Sequence, residues 1–99
     1  MMARISHLPH LLASVGALVG LKDPAAGKFS GNGMRDTTRV ASGHPVMWAE
    51  ILLRNRDALK GPIEETIAHL RDVLAFLEDS REEDLQQLLD DAKQLRDSL

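Results

Sequence analysis

Ninety-nine residues with no cysteine make one small domain at most and exclude both a disulfide framework and a thiolate zinc site. One Trp, two Phe and no Tyr, in a chain rich in Leu and Ala, favour helices packed on helices over a β-sandwich. The net charge of −3 is uneven: residues 1–77 hold nine Lys/Arg against seven Asp/Glu, and residues 78–99 three against eight, an acidic tail that argues against nucleic acid as a partner.

Ile5 to about Gly20 is predicted to be the first helix. Ile5, Leu8, Leu11, Leu12, Val15, Leu18 and Val19 make it apolar nearly all round, the pattern of a central, buried helix. Leu11 to Leu21 carries no charge, but eleven residues cannot span a bilayer. His7, Pro9 and His10 crowd the place where the apolar core of a secretory signal would begin. Pro9 either sits in the first helical turn, where a missing N–H costs little, or kinks a helix that starts earlier. Ala13, Ser14, Gly16, Ala17 and Gly20 would let another helix approach closely.

Lys22 to Gly33, with Pro24, Gly27, Gly31 and Gly33, reads as a long loop, and Gly31-Asn32-Gly33 could take positive φ beside a ligand. Arg35 to Ser42 reads as a short helix ended by Gly43 in the left-handed region, and Pro45 as the first residue of the next helix. Asn55 could cap a further start, and Gly61-Pro62 should bend or interrupt whatever helix runs through it. Ile63, Ile67, Leu70, Leu74 and Leu77 repeat at helical spacing. Ser80-Arg81-Glu82-Glu83 has the form of a capping box, and Leu85, Leu88, Ala92, Leu95 and Leu99 continue the stripe. The short link predicts an antiparallel helical hairpin. The fold class is all-α.

Two clusters could carry chemistry. His7 and His10 are three apart and share a helical face. They could be two of the ligands of a metal, a pair of imidazoles satisfied by nearby backbone, or hydrogen-bonding groups for an anion. Arg35 and Arg39 are four apart, and two guanidiniums on one face can grip a carboxylate bidentately. Asp36 could hold one of them or a histidine, or the whole group could be a solvated surface with local ion pairs. Trp48, the only Trp, could be core or the wall of an aromatic pocket. His44 and His69 show no partner pattern and read as surface. No glycine-rich turn follows a strand, so there is no dinucleotide fingerprint.

Ser6-His7-Leu8-Pro9-His10-Leu11-Leu12-Ala13, then a glycine loop, Arg35-Asp36-Thr37-Thr38-Arg39-Val40-Ala41-Ser42-Gly43, Pro45 and Met47-Trp48 together resemble the C-terminal half of prephenate and arogenate dehydrogenases. Asn55-Arg56-Asp57 and the closing hairpin look like that family as well. The resemblance covers essentially the whole chain, residues 1–99. It implies a helical domain of the 6-phosphogluconate-dehydrogenase C-terminal type that dimerises by interlocking helices, beside an N-terminal Rossmann domain that this chain does not carry. The reaction it implies is oxidative decarboxylation of prephenate to 4-hydroxyphenylpyruvate, or of arogenate to tyrosine, with NAD or NADP in the cytoplasm.

By motif position, His10 is similar to an imidazole that helps bind substrate, and Arg39 to the arginine that grips a substrate carboxylate. His7, Arg35 and Asp36 match the polar network around them, and Trp48 a tryptophan that reaches the pocket, that of the partner subunit. The family's catalytic histidine belongs to the other domain. The 99-residue chain by itself is therefore expected to bind no dinucleotide and to have no dehydrogenase activity. Met34, where the family usually has Phe, and Asn32, within what is often a glycine run, depart from the pattern in the substrate loop. A helical dimerisation module without catalytic role is the competing reading, although such a module has no need of paired histidines and arginines converging on one loop.

Overall fold

Pro9 decides how the first helix begins. It cannot donate the backbone hydrogen bond that a continuing α-helix would need, and its ring crowds the preceding turn. In the computed structural model, which describes residues 1–99, the chain winds wide before it: Ala3–His7 is a π-helical turn closed by Leu8 N–H on Ala3 O. The α-helix α1, Leu8–Gly20, follows with Pro9 in its first turn. The elements after it are α2 (Ala26–Phe29), α3 (Asn32–Thr38), a 3-10 turn (Arg39–Ser42), α4 (Pro45–Arg54), α5 (Arg56–Glu78) and α6 (Glu82–Asp97). There is no strand, in line with the all-α fold class that the composition and periodicity favour.

Met1–Ile63 forms one compact unit and Glu64–Leu99 another. In the first, α1 packs against α3 and the 3-10 turn. The small residues on one side of α1 make this possible. Ala13 is buried, Gly16 lies under the Thr38 methyl, and a Cβ on Gly20 would stand 2.6 Å from Met34 Cε. The opposite side holds Leu12, Val15, Leu18 and Val19, all exposed, so α1 is not the fully buried helix its composition suggested. Leu59 and Pro62, from the first turns of α5, complete the small interior. Pro62 does not interrupt α5, which runs unbroken from Arg56 to Glu78 around the buried ring.

The expected loop over residues 22–33 is half helix. Asp23 Oδ1 accepts from Ala25 N–H and starts α2, and α3 begins at Asn32, with Gly33 inside it. No glycine has positive φ, so the Gly31-Asn32-Gly33 stretch is not used for unusual backbone geometry. Gly43 is extended, φ −62° and ψ 160°, and does not end its helix in the left-handed region. Pro45 does start α4, and its N-cap is His44, whose Nδ1 accepts from Met47 N–H at 3.4 Å.

In the second unit, the C-terminal part of α5 and α6 line an open cleft of about 540 Å³, floored by Leu70, Val73, Phe76, Leu88 and Leu95. The capping box is not formed. Arg81 is the N-cap of α6 and makes no side-chain cap bond. Ser80, at φ 52°, is instead the left-handed stop of α5: Ser80 N–H reaches Leu77 O and Arg81 N–H reaches Phe76 O at 2.8 Å. The Arg81 guanidinium lies 5.5 Å over the Phe76 ring, where such stops usually make an apolar contact, and pairs with Asp84 at 2.6 Å. One residue cannot be both an extended N-cap and a left-handed stop. The stop satisfies two orphan carbonyls, whereas the box would satisfy two N–H groups on an exposed end open to water.

No large side chain is fully buried, and Leu70, Leu74, Leu77, Leu89, Leu95 and Leu99 are all exposed. Ser80→Gly should stabilise the chain by about 0.5–1 kcal/mol, because glycine reaches this φ without steric cost. A rise in Tm of a few degrees in thermal unfolding is the expected reading; an unchanged or lower Tm would show that Ser80 is not strained.

Candidate functional site

Three segments far apart in sequence meet at one cleft of the first unit. The π-turn and α1 bring Ile5, Ser6, Pro9 and His10; the 3-10 turn brings Arg39 and Val40; Gly43 and α4 bring Trp48. The cleft measures about 430 Å³ and is mostly apolar, with one guanidinium and one imidazole among its walls.

Its geometry rests on the rings. The Trp48 indole stacks on His10 with centroids 3.7 Å apart and planes 16° from parallel. His10 is buried, 8% exposed, and the indole is half-buried. Gly43 lies against both: a Cβ there would stand 2.8 Å from Trp48 Nε1 and 2.9 Å from His10 Cε1. The glycine is therefore needed for room beside two rings, not for its backbone freedom. His7 meets Trp48 edge to face, at 6.2 Å and 83°, and its Nδ1 is 3.0 Å from Asn55 Nδ2.

Of the residues singled out in the sequence, His10, Arg39 and Trp48 come together. His7 stands behind the cleft against Trp48 and does not line it. Arg35 and Asp36 are exposed on α3 and do not line it either. Arg39 is exposed and takes part in no ion pair, so its fork of N–H donors is open to an anion. Trp48 meets His10 of its own chain, so the indole contributes to this cleft directly. His7 and His10 have no third metal-ligating side chain beside them. Each ring already has a partner of another kind.

The sequence alone does not single out Ile5, Ser6, Pro9, Val40 or Gly43 as cleft residues, nor Asn55 as the partner of His7. Ser6 and Val40 lie inside the two motifs and could have been named from them. Asn55 could not: its side chain was assigned to a helix cap, and its partner is 48 residues away.

A cleft with an aromatic wall and one free guanidinium suits a small molecule with an apolar ring and a carboxylate. Comparison with known proteins bears on which one. Residues 1–91 match the family described as prephenate dehydrogenase, dimerization domain. The chain belongs to this family. It is 35% identical over 101 residues to prephenate dehydrogenase of Bacillus subtilis (strain 168), covering 96% of this chain and 27% of that protein. It is also 35% identical over 75 residues to cyclohexadienyl dehydrogenase of Zymomonas mobilis subsp. mobilis (strain ATCC 31821 / ZM4 / CP4), covering 71% of this chain and 26% of that protein. The chain thus spans about a quarter of the length of either relative. An all-helical fold is in keeping with the family, and no helix is long and apolar enough to cross a membrane.

Gly43→Ala tests the ring geometry. Neither ring is a flexible side-chain end that could swing aside, so one of them must shift. The variant should lose about 1–3 kcal/mol, the usual cost of overpacking a fitted contact. The near-ultraviolet dichroism of the single Trp should weaken with it; a variant with unchanged Tm and dichroism would mean that the stack is not tight.

Proposed function

We propose that this chain is the dimerisation and substrate-binding domain of a prephenate dehydrogenase, and that the cleft of His10, Arg39 and Trp48 holds the cyclohexadienyl substrate. The observation that carries the reading is the convergence of His10 and Arg39, from two separate motifs, on one cleft. Arg39 would grip a carboxylate of prephenate with two parallel hydrogen bonds. The His10 ring, held flat against Trp48, would present a nitrogen to the substrate at a fixed angle. Trp48 would cover the ring and exclude water. Arogenate, which shares the ring carboxylate, is the alternative substrate.

NAD or NADP is assigned to a Rossmann-type cradle, a glycine turn between strand and helix, and not to the residues of this cleft. The role assigned to them is to bind and orient substrate; no part of hydride transfer is assigned to any of them. Arg35, Asp36 and His7 are read as the surroundings of the site, with Arg35 and Asp36 free to meet another domain or copy.

In the dehydrogenase carrying this domain, Arg39→Ala should raise KM for prephenate roughly tenfold to a hundredfold while the affinity for NAD(P) stays the same. That is the range, about 1.5–3 kcal/mol, by which hydrogen bonding to a charged group contributes. Arg39→Lys should restore the charge but not the fork, and so rescue only in part. An unchanged KM in Arg39→Ala would end the substrate-site assignment.

The dimer rests on different observations: the exposed apolar face of α1, the exposed leucines of the second unit, and the family's own description. Surface of this kind is characteristic of chains that complete their core with a second copy. Sedimentation of the 99-residue chain at micromolar concentration should therefore give a mass of two chains; a monomer would refute the dimer.

A further inference from the structure

We infer that Asn55 is a positioning residue for the substrate cleft, acting on Trp48 through His7. The inference rests on the proposed substrate site but concerns a residue outside it. Asn55 lies at the junction of α4 and α5, where its backbone N–H closes α4 on Leu52 O and Leu53 O. That backbone role does not need an amide side chain. The side chain is instead spent across the fold: Asn55 Nδ2 donates to His7 Nδ1 at 3.0 Å, a half-buried bond between segments 48 residues apart. With the amide nitrogen as donor, Nδ1 accepts, and the matching neutral tautomer of His7 carries its ring proton on Nε2.

His7 has two further degrees of freedom that this bond removes. The imidazole could rotate about its own axis or swing to solvent. Tethered at Nδ1, it meets Trp48 edge to face at 6.2 Å and 83°. Trp48 is thus met edge to face by His7 and stacked on His10 at 3.7 Å, with Gly43 alongside. The chain of contacts runs from Asn55 to His7, to Trp48, to His10. Only its last two members line the cleft with Arg39. A side chain locked by a partner outside the site in this way supports the residues that touch the ligand.

Trp48 is the only Trp in the chain, so its spectrum reports on this arrangement alone. Three measurements test the inference. In the 99-residue chain, Asn55→Ala should weaken the near-ultraviolet dichroism of Trp48 and change its emission intensity, while Asn55→Gln, which keeps the amide donor on a longer stem, should recover part of both. Asn55→Ala with a lower Tm but an unaltered Trp48 spectrum would overturn the inference and leave Asn55 a structural residue only. In the wild-type chain, imidazole nitrogen NMR should show His7 fixed as the Nε2–H tautomer; a ring averaging between tautomers would overturn it without any variant having to fold. In the dehydrogenase carrying this domain, Asn55→Ala should raise KM for prephenate roughly fivefold, the effect of one net neutral hydrogen bond. A spectral change with no change in KM would overturn the link to substrate while sparing the tether. The substrate site itself fails separately, through Arg39→Ala.

Discussion

The stack of Trp48 on His10 is the contact on which the first unit turns. It is the place where α1 and α4 meet, and neither helix could bring its ring there without the bare backbone of Gly43 between them. A pair of flat rings at 3.7 Å contributes about 0.5–1.5 kcal/mol beyond the area it buries, by the measure of aromatic pairs. In a unit whose interior is Ala3, Ala13, Leu59, Pro62 and a histidine, that is a substantial share. The site and the core are the same few residues. This is in keeping with the burial of so polar a group as His10: one face of its ring is covered by the indole, and the residue lines the cleft.

Everything else in the chain is short of burial. On α1, His10, Ala13, Gly16, Ala17 and Gly20 recur at helical spacing on the side that meets α3 and the rings, and Leu12, Val15 and Val19 recur on the other. The exposed side is as apolar as the packed one. The second unit repeats the theme with leucines on α5 and α6 that stay in water. The ion pairs Arg54–Glu50 and Lys93–Asp97 do not compensate, because they join exposed neighbours one helical turn apart and are worth little. Hydrophobic surface at about 25 cal/mol per Å² is the only reservoir large enough to stabilise these helices, and it is available only when something covers it.

How much of this was legible in the sequence depended on the range of each signal. Helical periodicity, Pro45 as a helix start and the small-residue side of α1 are local patterns with local causes, and the structure has them. Arg39, His10 and Trp48 could be placed together only through the resemblance, since no spacing rule links an arginine to a histidine 29 residues earlier. The failures were of two kinds. Glycine was read for its backbone freedom at residues 31, 33 and 43, when the structure uses an ordinary extended N-cap, a helical residue and room beside two rings. Ser80 matched a capping box, but the preceding helix had first claim on it, because an α5 ending at Glu78 needs a left-handed residue before the chain can turn. Asn55 left no local trace, for its partner is on another helix.

The two-sided character of α1 has a thermodynamic consequence. One helix carries His10 toward the cleft and Leu12, Val15 and Val19 toward whatever covers its outer face. Under the proposed dimer, the second copy would press on the same rigid rod that sets the angle of His10. A helix of thirteen residues moves as a unit more readily than it bends, so a shift at the outer face reaches the rings. Binding at the cleft and association at the outer face would then share one free energy, and linkage requires the coupling to act equally in both directions. Ligand that orders the His10–Trp48 stack would tighten the dimer by the same factor by which dimerisation tightens ligand.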